Sequence, residues 1–208
     1  MQLNCLLYVK DDGVRKMIEL YHRIMIHDPE GNLVKDTGKV KSHSYVIQFL
    51  ELVEGLFKGA NKTATDVAGA ETRIIDLDTQ MQLLGRADAP VNDAAYGIVV
   101  GTNAGVSAED NEDYALDSKI ADGGGAGQLQ YQAMVFWAPA VDGANVDYDM
   151  ARPFGNDSGN TITVKEIGLI CKNADSTFYH LLLRDVVSDE DVLDGYTLTV
   201  TYTLRTTV

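Results

Sequence analysis

The chain has 208 residues, a hydrophobic content of 45% and a formal net charge of −14, from 31 acidic and 17 basic residues. Its hydrophobic and charged fractions are those of ordinary globular proteins, which excludes wholesale disorder. A surface this negative repels phosphate backbones, so we expect no nucleic-acid partner.

The cysteine content and the lack of long apolar runs bear on the cellular compartment of the protein. Cys5 and Cys171 provide no disulfide framework, and Cys171 continues the alternation of Ile167 and Leu169, as a small buried hydrophobic residue would. No stretch approaches the roughly 18 apolar residues of a membrane span, and the first residues lack a signal-peptide pattern. We expect no membrane partner and a cytoplasm-like compartment until assembly or release.

The first clear element is a β-hairpin, since residues 1–18 fit neither a strand period nor a helix period. From Leu20 the side chains of LYHRIMIHD alternate between two faces, PEGN supplies a turn and LVKDTGKVK a return strand. Pro29, Gly31 and Asn32 are expected at the tip of this hairpin.

One α-helix is predicted near residues 44–58. Its apolar residues recur at helical spacing in YVIQFLELVEGLFK, and they are Tyr45, Phe49, Leu52, Val53, Leu56 and Phe57. Ser42 or Ser44 is suited to cap its start, and Gly59 to end it in the left-handed conformation. Its wide apolar face has to be covered by the sheet or by a neighbouring subunit, and both alternatives stay open.

The segment after the helix is predicted as a loop followed by a strand. Residues 59–71 are small and polar, which favours a loop, and RIIDLDTQMQLL favours a strand through Ile74, Ile75 and Leu77.

Six strands are predicted from residue 96 onward. They lie in YGIVVG, QLQYQAMVFWAPA, NVDYDMARPF, ITVKEIGLICK, FYHLLLRDVV and TLTVTYTL, and DEDVLDG is the turn before the last. In the second strand, five residues are expected to share one face, and they are Leu129, Tyr131, Ala133, Val135 and Trp137. ITVKEIGLICK indicates either a bulge or a central strand that is apolar on both sides.

Short strands in series favour a mainly β protein, an antiparallel β-sandwich of jelly-roll or immunoglobulin-like type with one α-helix near residues 44–58. Two organisations stay open. Either residues 1–95 form a hairpin-plus-helix region and residues 96–208 the sandwich, or the chain is one continuous domain.

No cofactor and no metal site is predicted. GGGAG, residues 123–127, lacks the Gly-Lys-Ser/Thr ending of a phosphate loop and precedes a strand, whereas phosphate loops open a helix. The acidic stretches at residues 109–117 and 189–194 lack the spacing of a calcium loop, so we interpret them as solvated. Calcium or magnesium held at subunit contacts stays the minority alternative.

Catalytic residues are not indicated either, and we predict that the chain is not an enzyme. The histidines, His22, His27, His43 and His180, have no metal-ligand spacing. Ser158 and Ser188 lack nucleophile-elbow glycines, and Cys171 has no obvious activating partner. A glycosidase with two converging carboxylates about 5 to 9 Å apart stays a third alternative.

Four segments carry a resemblance to a known group of proteins. They are HDPEGNLVKDTGKVKSHSYVIQFLELV, YGIVVGTNAGVSAEDNEDYALDSKIADGGGAGQLQYQ, ITVKEIGLICKN and FYHLLLRDVVSDEDVLDGYTLTVTYTL. Together they resemble mostly uncharacterised virion proteins of tailed bacteriophages. The resemblance implies a structural virion component, assembled in the host cytoplasm in many symmetric copies and without catalytic residues.

The leading hypothesis is therefore a non-enzymatic capsid, neck or tail protein whose partners are other copies of itself and other virion proteins. Exposed apolar patches usually mark contacts, so we predict an interface in the helix region and around the only tryptophan. Its residues are Phe49, Leu52, Leu56, Phe57 and Trp137.

The alternative is a receptor- or carbohydrate-binding module of a tail or head fibre. Trp137, Tyr131 and Tyr148 would then stack on sugar faces, which requires their rings to be exposed on one side.

Overall fold

The structure is a computed structural model that describes residues 9–11, 14–16, 18–42, 44–75, 85–173 and 178–207. Strands contain 52% of the described residues and helices 7%, and several antiparallel sheets pack together as in a β-sandwich. The predicted mainly β fold with one helix is confirmed. The predictions for Cys5, His43 and Leu77 lie outside the described residues.

Sixteen strands and one helix occur in the described residues. The helix is α1 (Ile47–Lys58). The strands are β1 (Val9–Asp11), β2 (Val14–Lys16), β3 (Ile18–His27), β4 (Leu33–Asp36), β5 (Val40–Ser42), β6 (Lys62–Thr65), β7 (Glu71–Ile75), β8 (Gly97–Gly101), β9 (Ala121–Asp122), β10 (Gln128–Tyr131), β11 (Val135–Phe136), β12 (Ala140–Asp142), β13 (Asn145–Gly155), β14 (Ile162–Lys172), β15 (Tyr179–Val192) and β16 (Thr197–Thr207).

The larger sheet has β16 near its centre, paired antiparallel with β13 on one side and β3 on the other. Leu198, Val200 and Tyr202 are fully buried at alternate positions of β16, and threonines occupy the positions between them. The strand order is β4-β3-β16-β13-β10-β9, with β5 also on β3, and β11 and β12 also on β13. The sheet therefore takes strands from both sides of the predicted boundary at residue 95.

The second sheet has the order β15-β14-β8. Every side chain of β14 from Glu166 to Cys171 is buried, so this strand is covered on both faces. Its pairing with β15 also shifts register between Val164 and Glu166 and between Leu169 and Ile170. Both features predicted for ITVKEIGLICK are thus present.

The predicted N-terminal hairpin forms between β3 and β4, and its turn is held by Asn32, whose backbone N–H donates to Asp28 Oδ1 at 2.7 Å. The return strand is divided into β4 and β5. Between them Gly38 has a φ of 66°, a left-handed conformation that interrupts a strand.

The predicted helix forms, but its start differs from the prediction. Val46 is the N-cap residue and no side chain caps the helix, because the hydroxyls of Ser42 and Ser44 donate to Asp185 instead. Gly59 ends the helix in the left-handed conformation with a φ of 56°, as predicted.

Three other segments differ from their predicted structure because of tertiary contacts. Residues 59–71, predicted as a loop, contain β6, which pairs with β7 and buries Ala64. QLQYQAMVFWAPA forms two strands, β10 and β11, because Met134 between them donates its N–H to the Ala89 carbonyl. DEDVLDG is mostly strand, since β15 stays paired with β14 as far as Val192.

Arg152 holds the irregular connection before β8 against the larger sheet. Its fully buried guanidinium donates to five backbone carbonyls at 2.6 to 3.1 Å, those of Pro90, Asp93, Tyr96, Ile98 and Gln132. It also lies 4.8 Å from the centre of the Tyr131 ring. Carbonyls outside a regular ladder need donors when they are buried, and this one side chain supplies them.

We expect Arg152→Lys to lower the free energy of unfolding by about 3 kcal/mol, because an ammonium cannot reach all these carbonyls and leaves some of them unpaired. Urea denaturation, monitored by tryptophan fluorescence, measures the change. The control is Arg23→Lys, in a side chain that is 38% exposed and pairs with Asp36; it should cost less than about 1 kcal/mol. Equal effects of the two substitutions would contradict this role of Arg152.

Candidate functional site

An apolar groove of about 450 Å³ lies between the two sheets beside the start of α1. Side chains from the helix region, from both sheets and from the segment before β8 converge on it. They are Tyr45, Phe49, Gly85, Arg86, Ala87, Asp88, Phe136, Tyr148, Met150, Leu169, Leu182, Leu183 and Leu204. Grooves of this size and lining suit apolar ligands or the side chains of a partner protein.

The charged groups of the groove neutralise each other. Arg86 Nε donates to Asp88 Oδ1 at 2.5 Å and Arg86 Nη2 to Asp88 Oδ2 at 2.9 Å. The hydrogen bond from Arg86 lowers the pKa of Asp88. Among the described residues that line the groove, Asp88 is the one carboxylate, so these residues do not present the carboxylate pair of a glycosidase.

The five predicted interface residues occupy different environments. Phe49 lines the groove, with its ring 4.5 Å from that of Tyr45. Leu52 is only 7% exposed and packs on Gly85, so it belongs to the core and is not available to a partner. The surface positions are Leu56, Phe57 and Trp137, which are 49%, 88% and 51% exposed.

Sequence reasoning missed two exposed residues of the helix, Ile47 and Leu50, which are 48% and 58% exposed. Leu50 lies on the side of α1 opposite to the buried Gln48, Leu52 and Gly55, and Ile47 lies at the flank of that buried face. The signal was present in the sequence, because α1 carries apolar residues on nearly every side and only one side can face the core.

A buried carboxylate, Asp185, connects β15 with the larger sheet and with the segment before α1. Its Oδ1 accepts hydrogen bonds from the hydroxyls of Ser42 and Ser44 at 2.5 and 2.6 Å, and its Oδ2 accepts one from Tyr202 at 2.9 Å. Burial by itself would raise the pKa of Asp185, but His22 and the two serines lower it below its usual value.

This cluster has the composition of a nucleophilic triad but a different arrangement. Both serines donate directly to Asp185, and His22 Nδ1 lies 3.7 Å from Asp185 Oδ1. In a triad the serine would donate to the imidazole and the imidazole to the carboxylate. Both serine hydroxyls are therefore bound to Asp185, and the cluster connects β15 with the segment before α1 and with the larger sheet. Sequence reasoning missed it because Ser42 and Asp185 are 143 positions apart.

A second buried cluster fastens the acidic segment between β8 and β9. Arg184 and Glu166, at most 1% exposed, form an ion pair with an Nε–Oε2 distance of 3.0 Å. Glu166 also accepts backbone N–H groups, those of Asn103, Asp117 and Ser118. Arg184 further donates to the Ala108 carbonyl, the Asp113 carboxylate and the Ser107 hydroxyl. The Glu166 carboxylate and the Arg184 guanidinium therefore both hold this acidic segment on the second sheet.

The three aromatic residues considered for sugar stacking do not form one exposed platform. Tyr131 is fully buried, its hydroxyl donates to the Ile120 carbonyl at 2.7 Å, and burial raises its pKa. Tyr148 lines the groove and Trp137 is half-exposed. Two of the three rings at most can reach a sugar.

The acidic stretches make internal contacts. Glu109 accepts the Val186 N–H at 2.8 Å, and Asp191 accepts the Thr163 hydroxyl at 2.6 Å. Among the described residues, no group of three or more His, Cys, Asp or Glu side chains is placed to hold a metal ion. GGGAG forms the turn between β9 and β10, where Gly127 has a φ of 74°.

Comparisons with protein-family models, with curated proteins and with solved structures found no match to the chain. In the part of the chain that the structure describes, no helix is long and apolar enough to cross a membrane.

We expect Asp185→Asn to destabilise the protein by about 2 kcal/mol at pH 7, and by less as the pH falls. The folded-state pKa of Asp185 is lowered, so the unfolded chain binds the proton first. The stabilisation is complete above the unfolded-state pKa of about 4 and is lost as the pH falls through the folded-state pKa. Urea denaturation of both proteins from pH 7 to about pH 3 measures this.

The control for this experiment is Asp189→Asn, whose side chain is 66% exposed and pairs with Lys165 at the surface. It should change stability little at any pH. A difference between wild type and Asp185→Asn that stays constant from pH 7 to about pH 3 would contradict the proposed linkage.

Proposed function

We propose that the chain is a non-enzymatic structural component of a tailed-phage virion that acts by self-association and by packing on other virion proteins. The virion setting rests on the four sequence segments that resemble phage virion proteins. The mode of action rests on the apolar groove and on exposed apolar side chains at its edge and on α1. Assembly in the host cytoplasm is part of the same proposal.

The observation that carries the proposal is the position of the exposed aromatic and aliphatic residues. Phe136 lines the groove and is 39% exposed, and Trp137 follows it at 51%. Outside the groove, Leu50 and Phe57 of α1 are 58% and 88% exposed. Single exposed apolar residues need no explanation, but consecutive exposed aromatic residues at an apolar groove are typical of a protein–protein contact.

The buried polar residues support a scaffold role in a second way. Arg152, Glu166, Arg184 and Asp185 direct their hydrogen bonds to the protein's own loops and neighbouring elements. Such contacts make the connections between strands rigid, and rigid surfaces lose little conformational entropy when copies assemble. A structural protein that works in many copies benefits from this property.

The proposal is tested in particles of the phage that encodes the chain. We expect the protein to co-sediment with purified virions and to be detected there in many copies by mass spectrometry. Phe136→Asp should abolish incorporation, because a charge at the groove would have to be buried in the contact. Circular dichroism and thermal unfolding establish that the variant is folded.

The matched control for incorporation is Val141→Asp in β12, at a side chain that is 77% exposed and does not line the groove. It should be incorporated like the wild type. Absence of the wild-type protein from purified virions would contradict the proposed function, and equal incorporation of both variants would exclude the groove as the contact.

A further inference from the structure

A polar recess adjoins the apolar groove at Tyr45. This recess has a volume of about 190 Å³, and Tyr45 lines both it and the groove, so the two lie within one side chain of each other. The other residues that line the recess are Ser44, Glu109, Asp110, Asn111 and Arg184. We call it the acidic recess. A ligand in the groove therefore lies close to the carboxylates of the acidic recess.

A β-bulge in β15 builds the wall that the groove and the acidic recess share. Leu182 has no partner on β14, where the pairing shifts register, so it is the extra residue of the bulge. Its carbonyl accepts the Val46 N–H at 3.2 Å, and Tyr45 pairs with Leu183. Leu182 and Leu183 both line the groove, although neighbours in a regular strand point to opposite faces. The groove is thus built into the strand pairing, and a preformed site loses little entropy on binding.

Negative charge exceeds positive charge around the groove and the acidic recess. The carboxylates that line them, or that bond to a lining side chain, are Asp88, Glu109, Asp110, Asp113, Glu166 and Asp185. The cations that line them are Arg86 and Arg184. Lys172, whose N–H donates to the Arg86 carbonyl, and Glu112, whose N–H donates to Asp110, bring one charge of each sign. Six carboxylates against two guanidiniums leave an excess of four negative charges, and protonation of His22 beside Asp185 would still leave three.

Two of these carboxylates are open to a partner. Glu109 and Asp110 are exposed, and in the described part of the chain neither pairs with a lysine or arginine side chain. Each uses one oxygen for an internal hydrogen bond, Glu109 from the Val186 N–H and Asp110 from the Glu112 N–H. The second oxygen of each carboxylate accepts no hydrogen bond from a described residue, so a cationic group can bind there.

The charge and the adjoining position of the two sites indicate the chemistry of the partner. An acidic partner, including a second copy of this chain, is repelled by the excess of carboxylates, whereas a basic one is attracted. Because the groove and the acidic recess adjoin, the partner needs apolar and basic groups next to each other, as successive side chains of a polypeptide provide. The groove would supply most of the affinity, since an exposed ion pair contributes only a factor of roughly 1.5 to 5.

We propose that the groove and the acidic recess together bind a segment of another protein in which bulky apolar side chains are adjacent to lysine or arginine. The apolar side chains fill the groove, and the basic ones reach Glu109 and Asp110. The groove volume of about 450 Å³ lies within the range of roughly 300 to 1,000 Å³ that is typical of preformed ligand sites. The inference rests on the proposed function, since it names the chemistry of the virion protein that packs on the groove.

Titration of the purified full-length chain with synthetic peptides tests the proposal. Three capped peptides, each made in both orders, join Leu-Phe-Leu to Lys-Lys, Ser-Ser or Glu-Glu. None contains tryptophan, so binding is measured by the fluorescence of Trp137, the only tryptophan of the chain, which follows the groove residue Phe136. At low salt the lysine peptide should bind at least about 10-fold more tightly than the glutamate peptide. High salt should reduce this preference, because exposed charges are screened.

Charge-neutral variants test the role of the acidic recess. Glu109→Gln combined with Asp110→Asn should weaken binding of the lysine peptide about 5-fold and leave binding of the serine peptide unchanged. Both replacements keep an oxygen that can accept the internal N–H. The control combines Glu30→Gln with Asp189→Asn, which removes the same charge at exposed positions that line neither site, and it should change neither affinity. Thermal unfolding checks that each variant is folded.

Four results would overturn the proposal. They are no binding of any peptide, equal binding of the lysine and glutamate peptides, a charge preference that survives in the double variant of Glu109 and Asp110, and a wild-type dimer in sedimentation equilibrium that Phe136→Asp dissociates. The last result would show that a second copy occupies the groove. None of them affects the virion test, which measures incorporation into particles, so the two proposals fail separately.

Discussion

Four buried charged side chains determine how the irregular parts of this protein are attached to its sheets. Arg152 donates to the carbonyls of the segment before β8, and the Glu166–Arg184 pair holds the acidic segment after it. Asp185 binds the serines that precede α1. A buried charge is stable only when hydrogen bonds replace its hydration, and irregular backbone is buried only when its polar groups find partners. Here the buried charges and the irregular segments supply hydrogen bonds to each other. The segments before and after β8 are therefore fixed against the sheets.

This arrangement leaves the apolar surface as the part of the protein that is free to interact. The chain places a few paired charges inside, and it exposes Phe136 and Trp137 at one groove and Leu50 and Phe57 on α1. The ion pairs near that surface, Arg86–Asp88 and Glu54–Lys58, are internally neutral. The association that we propose, combined with repulsion between the acidic surfaces elsewhere, would favour defined contacts over general aggregation.

The strands and the helix were predicted well where the apolar residues of an element lie on one buried face. β16, β13, the hairpin and α1 were found because apolar residues recur at the strand or helix period. The predictions failed where a hydrogen bond to a residue distant in the sequence determines the backbone conformation. β10 and β11 are separated because Met134 bonds to Ala89, and β15 continues through acidic residues because β14 pairs with it. Of the predicted interface, Leu52 proved to be buried, while Ile47 and Leu50 were missed, because helical spacing does not tell which side faces the core.

By itself, the sequence determined the mainly β class, the position of the one helix and its left-handed end at Gly59, since these depend on local periodicity and backbone preference. Only the tertiary structure decided that Ser42 and Ser44 bind Asp185 instead of capping α1, and that the rings of Tyr131 and Phe154 pack inside while Trp137 stays half-exposed. The physical reason is that burial and hydrogen bonding are properties of pairs of residues. Those pairs lie up to 143 positions apart in the Asp185 cluster, and no local pattern records them.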